Sequence, residues 1–471
     1  MKVRTRMAPS PTGEIHIGGL RTALYDYAWA RKNKGKFVLR IEDTDRERLV
    51  EGALDQIRDD FVDYGILWDE GPEPVGGPFG PYIQSERLEI YKKYAMDLIA
   101  SGHAYNCFCT KERLEEVRKK QMEEKRLPGY DRHCRNLTTE EVNQKLSQNI
   151  PSVIRMKIPD GEQVVFEDMA RGEIRTNSIT LDDQVILKSD GFPTYHLAVV
   201  VDDHLMEITH IIRGNEWLPS TPKHVLLFQF FGWEIPKFAH LSIFLDPEGD
   251  GKMSKRKGSV SARGFLSDGY LPEAMLNYLM LLGWNPGGEK EIFTLREFAE
   301  IFDLKDLNKS NQKFTFEKLN WFNQHYIRSL DEKELIARLK PFTTRSEQEI
   351  SKVLPLVKER MITLKDFDSL TEYFFDSPKI DQTLLAKYPD TKRVLDNTIS
   401  TLEEDFDGKI LEENARAFCQ TNDVKVGDYF MILRLATTGR AQTPPLWDVM
   451  QILGKDETLE RLKHAQAPYQ T

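Results

Sequence analysis

Two short segments carry residues that could handle a polyphosphate. The first is Ala8-Pro9-Ser10-Pro11-Thr12-Gly13, followed by His16-Ile17-Gly18-Gly19. Two prolines and a glycine exclude regular structure from the opening six residues, so a loop must hand over to a helix near His16. The first turn of a helix presents unpaired N–H groups and the positive end of its dipole, which together hold anionic phosphate. His16 can donate to a phosphate oxygen as charge develops there. Gly18 and Gly19 carry no side chain, so a purine ring can approach the backbone. The second segment is Lys252-Met253-Ser254-Lys255-Arg256-Lys257-Gly258, preceded by Gly249-Asp250-Gly251. Its clustered cations suit a departing pyrophosphate. A solvated basic loop would have the same composition, and a helix start with a surface histidine would explain the first segment. Neither decides alone; their places in the chain do.

The elements that must position these segments alternate in kind. Val3–Ala8 reads as a strand, Ile15–Lys32 as a helix with Leu20, Leu24, Tyr27 and Ala28 on one stripe, Lys36–Ile41 as a strand, and Val50–Tyr64 as an amphipathic helix. Strand, loop, helix, strand, helix is the pattern of a doubly wound α/β sheet. A helix over Ser85–Ser101 leads to a less regular block, about 104–190, which contains a charged helix (Lys111–Lys125). Strand-like runs follow at Val153–Ile158, Val185–Leu187, Tyr195–Val201 and Ile208–Ile212. Thr221–Phe231 is helical, and a strand over Leu241–Leu245 enters the basic segment. The first motif therefore opens an α/β core and the second follows its last strand. From about residue 320 helical periodicity takes over, at Glu332–Leu339, Glu347–Met361, Thr363–Phe375, Thr391–Glu404 and Asp428–Thr437.

Paired in this way, the segments resemble the two signature sequences of class I aminoacyl-tRNA synthetases. Gly19 stands where many of those classes have a second histidine, a departure common to the glutamyl subgroup. A longer resemblance, to bacterial-type glutamyl-tRNA synthetases, spans essentially the whole chain. It rests on Arg6–Gly13, Leu39-Arg40-Ile41-Glu42-Asp43-Thr44-Asp45, Tyr195-His196-Leu197-Ala198, Val200-Val201-Asp202-Asp203-His204, Ile212-Arg213-Gly214, Glu216-Trp217-Leu218, Leu433-Arg434 and Thr438-Gly439-Arg440. The resemblance implies a Rossmann-like catalytic domain over 1–320. That domain would contain an inserted acceptor-binding block (about 104–190) and a basic-loop and stem-contact region (about 245–320). An all-α anticodon-binding domain would occupy 321–471.

The implied reaction joins L-glutamate to tRNA(Glu) through glutamyl-adenylate, with ATP and Mg²⁺. Implied catalytic residues are His16, Lys252 and Lys255; implied ATP contacts are Pro9, Ser10, His16, Gly18, Gly19, Glu216 and Lys255. Glutamate carries two carboxylates and an ammonium, so its site needs cations and an anion, and guanidinium forks match carboxylates. Arg6 and Arg213 stand in the matched positions, Glu42 is the implied partner of the ammonium, and Ser10 and Tyr195 would add neutral hydrogen bonds. Val199 occupies a position where the family usually has Asn. Cys107-x-Cys109 with Cys134 resembles the zinc-bearing insertion of some members. Zinc wants four tetrahedral ligands, and Tyr130 or His133 is available as the fourth. The alternative is three reduced thiols.

Composition sets the outer bounds. The 471 residues suggest several domains, and 40% hydrophobic with 30% charged residues fit a globular chain. Net charge of −10 excludes a uniformly basic nucleic-acid binder but leaves room for a local basic face. Few cysteines, no membrane-length apolar run and a motif starting at Ala8 together point to a cytoplasmic enzyme, expected to be a monomer. Glutamate transfer to tRNA(Gln) as well is left open. A glutaminyl or tRNA-base-modifying relative is disfavoured by the helical tail, and an inactive tRNA-binding paralogue by intact His16, Lys252 and Lys255.

Overall fold

The structure, a computed structural model, describes residues 2–126, 128–246 and 260–469. The chain forms two compact units, Met1–Leu266 with Met275–Phe316, and Ser267–Ala274 with Glu317–Thr471.

The first unit is built on parallel strands. Strand β1 (Arg4–Met7) pairs in parallel with β2 (Lys36–Leu39), and helix α1 (Ile17–Lys32) connects them. Helix α1 forms because Ile17, Leu20, Leu24 and Ala28 make one fully buried stripe. It hands over to β2 through Gly35, where any Cβ would collide with the Val3 carbonyl oxygen. Helices α2 (Ala53–Asp63) and α3 (Leu88–Ala100) follow.

The intervening block contains strand β3 (Ala104–Cys107), helices α4 (Lys111–Glu123) and α5 (Thr139–Ser147), and strands β4 (Val153–Met156), β5 (Gln163–Asp168), β6 (Gly172–Asn177) and β7 (Val185–Leu187). Strands β3, β4 and β7 form an antiparallel sheet, and β5 and β6 form a hairpin. The core resumes with helix α6 (Tyr195–Leu205), strand β8 (His210–Gly214), helix α7 (Thr221–Phe230) and strand β9 (Lys237–Leu241). β8 pairs in parallel with β9, and β9 joins the hairpin through Asp168 and Phe238. β8 also abuts β1: the Thr209 N–H donates to the Arg4 carbonyl at 3.0 Å, and the Arg4 N–H to Thr209 Oγ1 at 2.9 Å. The layer thus reads β2, β1, β8, β9, a doubly wound α/β core.

Two expectations need correction. Residues Tyr195–Val201 are helical, not a strand. Leu197–Val201 is buried on every side against α3 and α7, so no polar face betrays the helical period, and β-branched residues mimic a core strand. The strand expected over Leu241–Leu245 is broken: β9 ends at Leu241, and Phe244–Leu245 pairs instead with Gln312–Lys313. Residues 267–274 pack within the second unit: the Leu271 N–H donates to Asn323 Oδ1 at 2.8 Å, and Tyr270 Oη to Asn320 Oδ1 at 2.7 Å.

In the second unit the helices include Glu332–Leu339, Glu347–Val357, Asp366–Phe375, Thr391–Glu404, Gly408–Asn422, Val426–Thr438, Leu446–Leu453 and Lys455–Gln466. Val394, Leu395, Leu402, Leu411, Leu433 and Leu462 form part of a core drawn from five of them. Among the described residues, no helix is long and apolar enough to cross a membrane.

Candidate active site

Chain order reverses between β1 and β8. From β1 the chain crosses α1 to β2 on one side; from β8 it crosses α7 to β9 on the other. Ligands of doubly wound sheets bind at such a switch point, beyond the carboxyl ends of the strands. A cavity of about 1340 Å³ opens there, walled by residues that follow β1 and β8. Single-ligand pockets run to roughly 300–1,000 Å³, so this one has room for two substrates side by side. Arg6, Ser10, His16, Gly18, Gly19, Glu42, Tyr195, Arg213 and Glu216 all line it. Pro9 does not line it; its carbonyl accepts from the Glu42 N–H at 3.0 Å and so sets the backbone that carries Glu42. Lys252 and Lys255 lie outside the described residues.

At one end His16 is the N-cap of α1. Its Nδ1 accepts from the Gly18 N–H at 3.0 Å, which puts the ring proton on Nε2. The histidine is therefore a helix cap through one nitrogen and a donor through the other. Residues after the basic segment are tied to this motif: the Ile17 N–H donates to the Val260 carbonyl at 2.9 Å, and the Ala262 N–H to the Ile15 carbonyl at 2.7 Å.

At the other end lies a buried charge array. Arg6 Nε donates to Asp203 Oδ1 at 3.1 Å, and Arg40 Nη1 donates to the same oxygen at 2.7 Å. Arg40 Nη2 donates to Glu42 Oε1 at 3.0 Å. Burial would raise the Asp203 carboxyl, but Arg6 and Arg40 hold it below the ordinary carboxylate range. Burial pushes the Glu42 carboxyl up despite Arg40 and Arg6, so an ammonium placed beside it would offset that cost. The helical form of α6 makes this array: Tyr195, Val199 and Asp203 fall at i, i+4 and i+8, on one stripe. Val199 is buried in the apolar core and is not part of the cavity wall.

Arg213, at the end of β8, is also buried and heavily bonded. Nη1 donates to Tyr195 Oη and to His224 Nδ1, both at 3.2 Å; Nε donates to His240 Nε2 at 3.1 Å, and Nη2 to Thr221 Oγ1 at 2.7 Å. Trp217 packs over the Tyr195 ring at 4.1 Å. Sequence reasoning passed over Asp203, His224, His240, Thr221 and Trp217 as functional residues. Asp203 and Trp217 stand in stretches that carry the family resemblance, which was the available signal; no local pattern marks the histidines.

Known proteins resemble this chain over nearly its whole length. The model of the class I tRNA synthetase (E and Q) catalytic domain matches residues 2–321, and an anticodon-binding-domain model matches 334–466. The chain is 42% identical to a glutamate–tRNA ligase of Chlorobium phaeovibrioides, over 99% of this chain and 94% of that one. It is 42% identical to one from Treponema denticola, over 99% of each. The chain belongs to the glutamyl branch of the class I tRNA synthetases. Its structure superposes with a TM-score of 0.89 on a crystal structure of a glutamate tRNA ligase from Elizabethkingia meningosepticum in complex with its amino acid, at 38% identity and 99% coverage of both chains.

The inserted block holds one further constellation. The Sγ atoms of Cys107, Cys109 and Cys134 lie within 4.8 Å of one another. Tyr130 Oη is 3.2 Å from Cys107 Sγ and 3.4 Å from Cys109 Sγ, whereas His133 is exposed and outside the group. Burial pushes the Cys109 thiol up to about 12, whereas hydrogen bonds from Tyr130 and Arg155 hold the Cys107 thiol below its ordinary value despite its burial. Three soft sulfurs and a phenol oxygen converging on one point fit a tetrahedral zinc.

Proposed function

We propose that this chain activates L-glutamate with ATP and transfers it to tRNA(Glu). The observation that carries the reading is one cavity with His16 at one end and the Arg6–Glu42–Arg213 array at the other. The glutamate α-carboxylate oxygen attacks the α-phosphorus of Mg²⁺-bound ATP, and pyrophosphate leaves. The 2′-hydroxyl of the terminal adenosine then attacks the acyl carbon, loses its proton, and AMP departs. His16 Nε2–H donates to phosphate oxygen, Lys252 and Lys255 balance the leaving pyrophosphate, and Gly18 and Gly19 admit the adenine with Ser10, Glu216 and the backbone around Pro9. Arg6 binds the side-chain carboxylate, Glu42 the ammonium, and Tyr195 with Arg213 further carboxylate oxygen. The enzyme's own contribution is position and preorganised charge.

The finer parts of the reading rest on the family resemblance and on the cysteine cluster. Cys107, Cys109, Tyr130 and Cys134 hold one zinc, which would brace the inserted block. That block, about 104–190, receives the acceptor end of tRNA, 1–320 is the catalytic domain, and 321–471 reads the anticodon. The enzyme works in the cytoplasm as a monomer. ATP–pyrophosphate exchange with purified chain, tested with glutamate, glutamine and aspartate in the presence of tRNA(Glu), decides the matter. Exchange is expected with glutamate; exchange with glutamine alone, or none, would defeat the reading. Charging assays with tRNA(Gln) measure the breadth of tRNA choice.

A further inference from the structure

Arg213 is held from both edges by imidazoles, and it can only donate hydrogen bonds. That single fact assigns the protons around it. His240 Nε2 accepts from Arg213 Nε, so His240 carries its proton on Nδ1, which faces Asp168 Oδ2 at 2.6 Å. His224 accepts from Arg213 through Nδ1, so its proton sits on Nε2, which faces His196 Nδ1 at 3.0 Å. Thr221 Oγ1 accepts from Arg213 Nη2. With the His240 lone pair already taken, the threonine proton goes to the Trp217 carbonyl at 3.0 Å. Tyr195 Oη likewise accepts from Arg213 Nη1, so its own proton is directed elsewhere. These contacts use the Nε–H, both Nη1 protons and one Nη2 proton. One Nη2 N–H and the Tyr195 O–H are what this cluster can offer a ligand in the cavity.

We infer that His240 and His224 are positioning residues for substrate carboxylate recognition. As neutral imidazoles of opposite tautomer, they clamp Arg213 against Tyr195, whose O–H is left to donate to a ligand in the cavity. This rests on the glutamate reading above. Both rings are almost wholly buried, and a protonated imidazole would face the guanidinium as a second cation. Burial holds the His224 ring well below its ordinary value, with Arg213 adding to the effect. Burial also lowers His240, against the pull of Asp168. An O–H left to donate, beside a guanidinium, favours a carboxylate oxygen over an ammonium.

The clamp makes a crossed prediction. A glutamine at 240 can place its Oε1 near the Nε2 position, and an asparagine at 224 can place its Oδ1 near the Nδ1 position. His240→Gln and His224→Asn should therefore keep the glutamate KM within about threefold of the parent. His240→Asn and His224→Gln should raise it tenfold or more, with ATP KM unchanged, in tRNA-dependent pyrophosphate exchange on the full chain. A merely structural role would move all four alike, and that result would overturn the inference. A parent chain that does not activate glutamate overturns the reading of the site along with it; one that does, without the crossed pattern, overturns the clamp alone. The unmutated chain offers a second measurement that needs no variant to fold. Histidine-ring ¹⁵N spectra should report Nδ1–H at His240 and Nε2–H at His224, and the reverse tautomer at either ring refutes the clamp.

Discussion

Replacing Arg6 with glutamine should separate glutamate recognition from everything else in the cavity. Arg6 projects from β1 onto the cavity wall and is bound by protein at Nε, through Asp203 Oδ1 at 3.1 Å. Arg6→Gln removes the charge that would face the substrate's side-chain carboxylate. Asp203 is not abandoned, because Arg40 still reaches it at 2.7 Å. The cost to the fold is therefore small beside the cost to binding. Leaving a desolvated carboxylate without its cation costs about 3–5 kcal/mol, which at about 1.4 kcal/mol per decade is roughly 140- to 4000-fold in kcat/KM. That loss should appear for glutamate, with ATP KM within about threefold of the parent. Glutamine, which has no side-chain charge to strand, should lose far less, so the ratio of the two amino acids narrows. Pyrophosphate exchange with each amino acid, alongside a melting curve, reads all of this. A glutamate kcat/KM within tenfold of the parent would refute the assignment of Arg6, and equal losses for glutamate and ATP would mean that the variant has disturbed the whole cavity.

Four other outcomes are expected. His16→Asn keeps an acceptor for the Gly18 N–H, and asparagine is a good N-cap, so the melting temperature should hold; losing the Nε2 donor should cut kcat by about 100- to 1000-fold. Val199→Asn should leave glutamate KM within about threefold, because residue 199 is not on the cavity wall, yet lower stability by about 1–3 kcal/mol through a buried amide, read by denaturant unfolding. Burial, with Lys223 and Arg213 adding, lowers His196 to about 4, and burial with Lys237 lowers His210 to about 4. The unfolded chain thus binds more protons between pH 6.5 and about 4, and stability should fall as pH drops through that window, less steeply in His210→Gln. Cys109→Ser, or treatment with a strong chelator, should remove close to one zinc per chain by metal analysis; zinc retained in full by Cys109→Ser would refute the proposed ligand set.

The sequence was legible where local chemistry speaks for itself. Proline and glycine between β1 and α1 announce a loop, and the stripe from Leu20 to Ala28 announces a helix. The start of that helix located His16. Periodicity failed in two places, for different reasons. Buried all round, Leu197–Val201 gives no sign of its helical turn. The β5 strand does alternate exposed and buried residues, as a half-buried strand should, but it is short and sits inside an irregular block. Cys107, Cys109 and Cys134 were visible as a set, whereas the choice of Tyr130 over His133 as their neighbour was not.

By itself the sequence determined the order of elements, the loop-to-helix start at His16, and the family, since these depend on short-range patterns and ordered identities. Only the tertiary structure decided how that chemistry meets. The helical turn of α6 sets Asp203 beneath Tyr195, between Arg6 of β1 and Arg40, which follows β2. The packing of β8 beside β9 sets His240 against Arg213. Those partners lie tens to hundreds of residues apart along the chain, and a hydrogen bond between distant residues leaves no spacing to read.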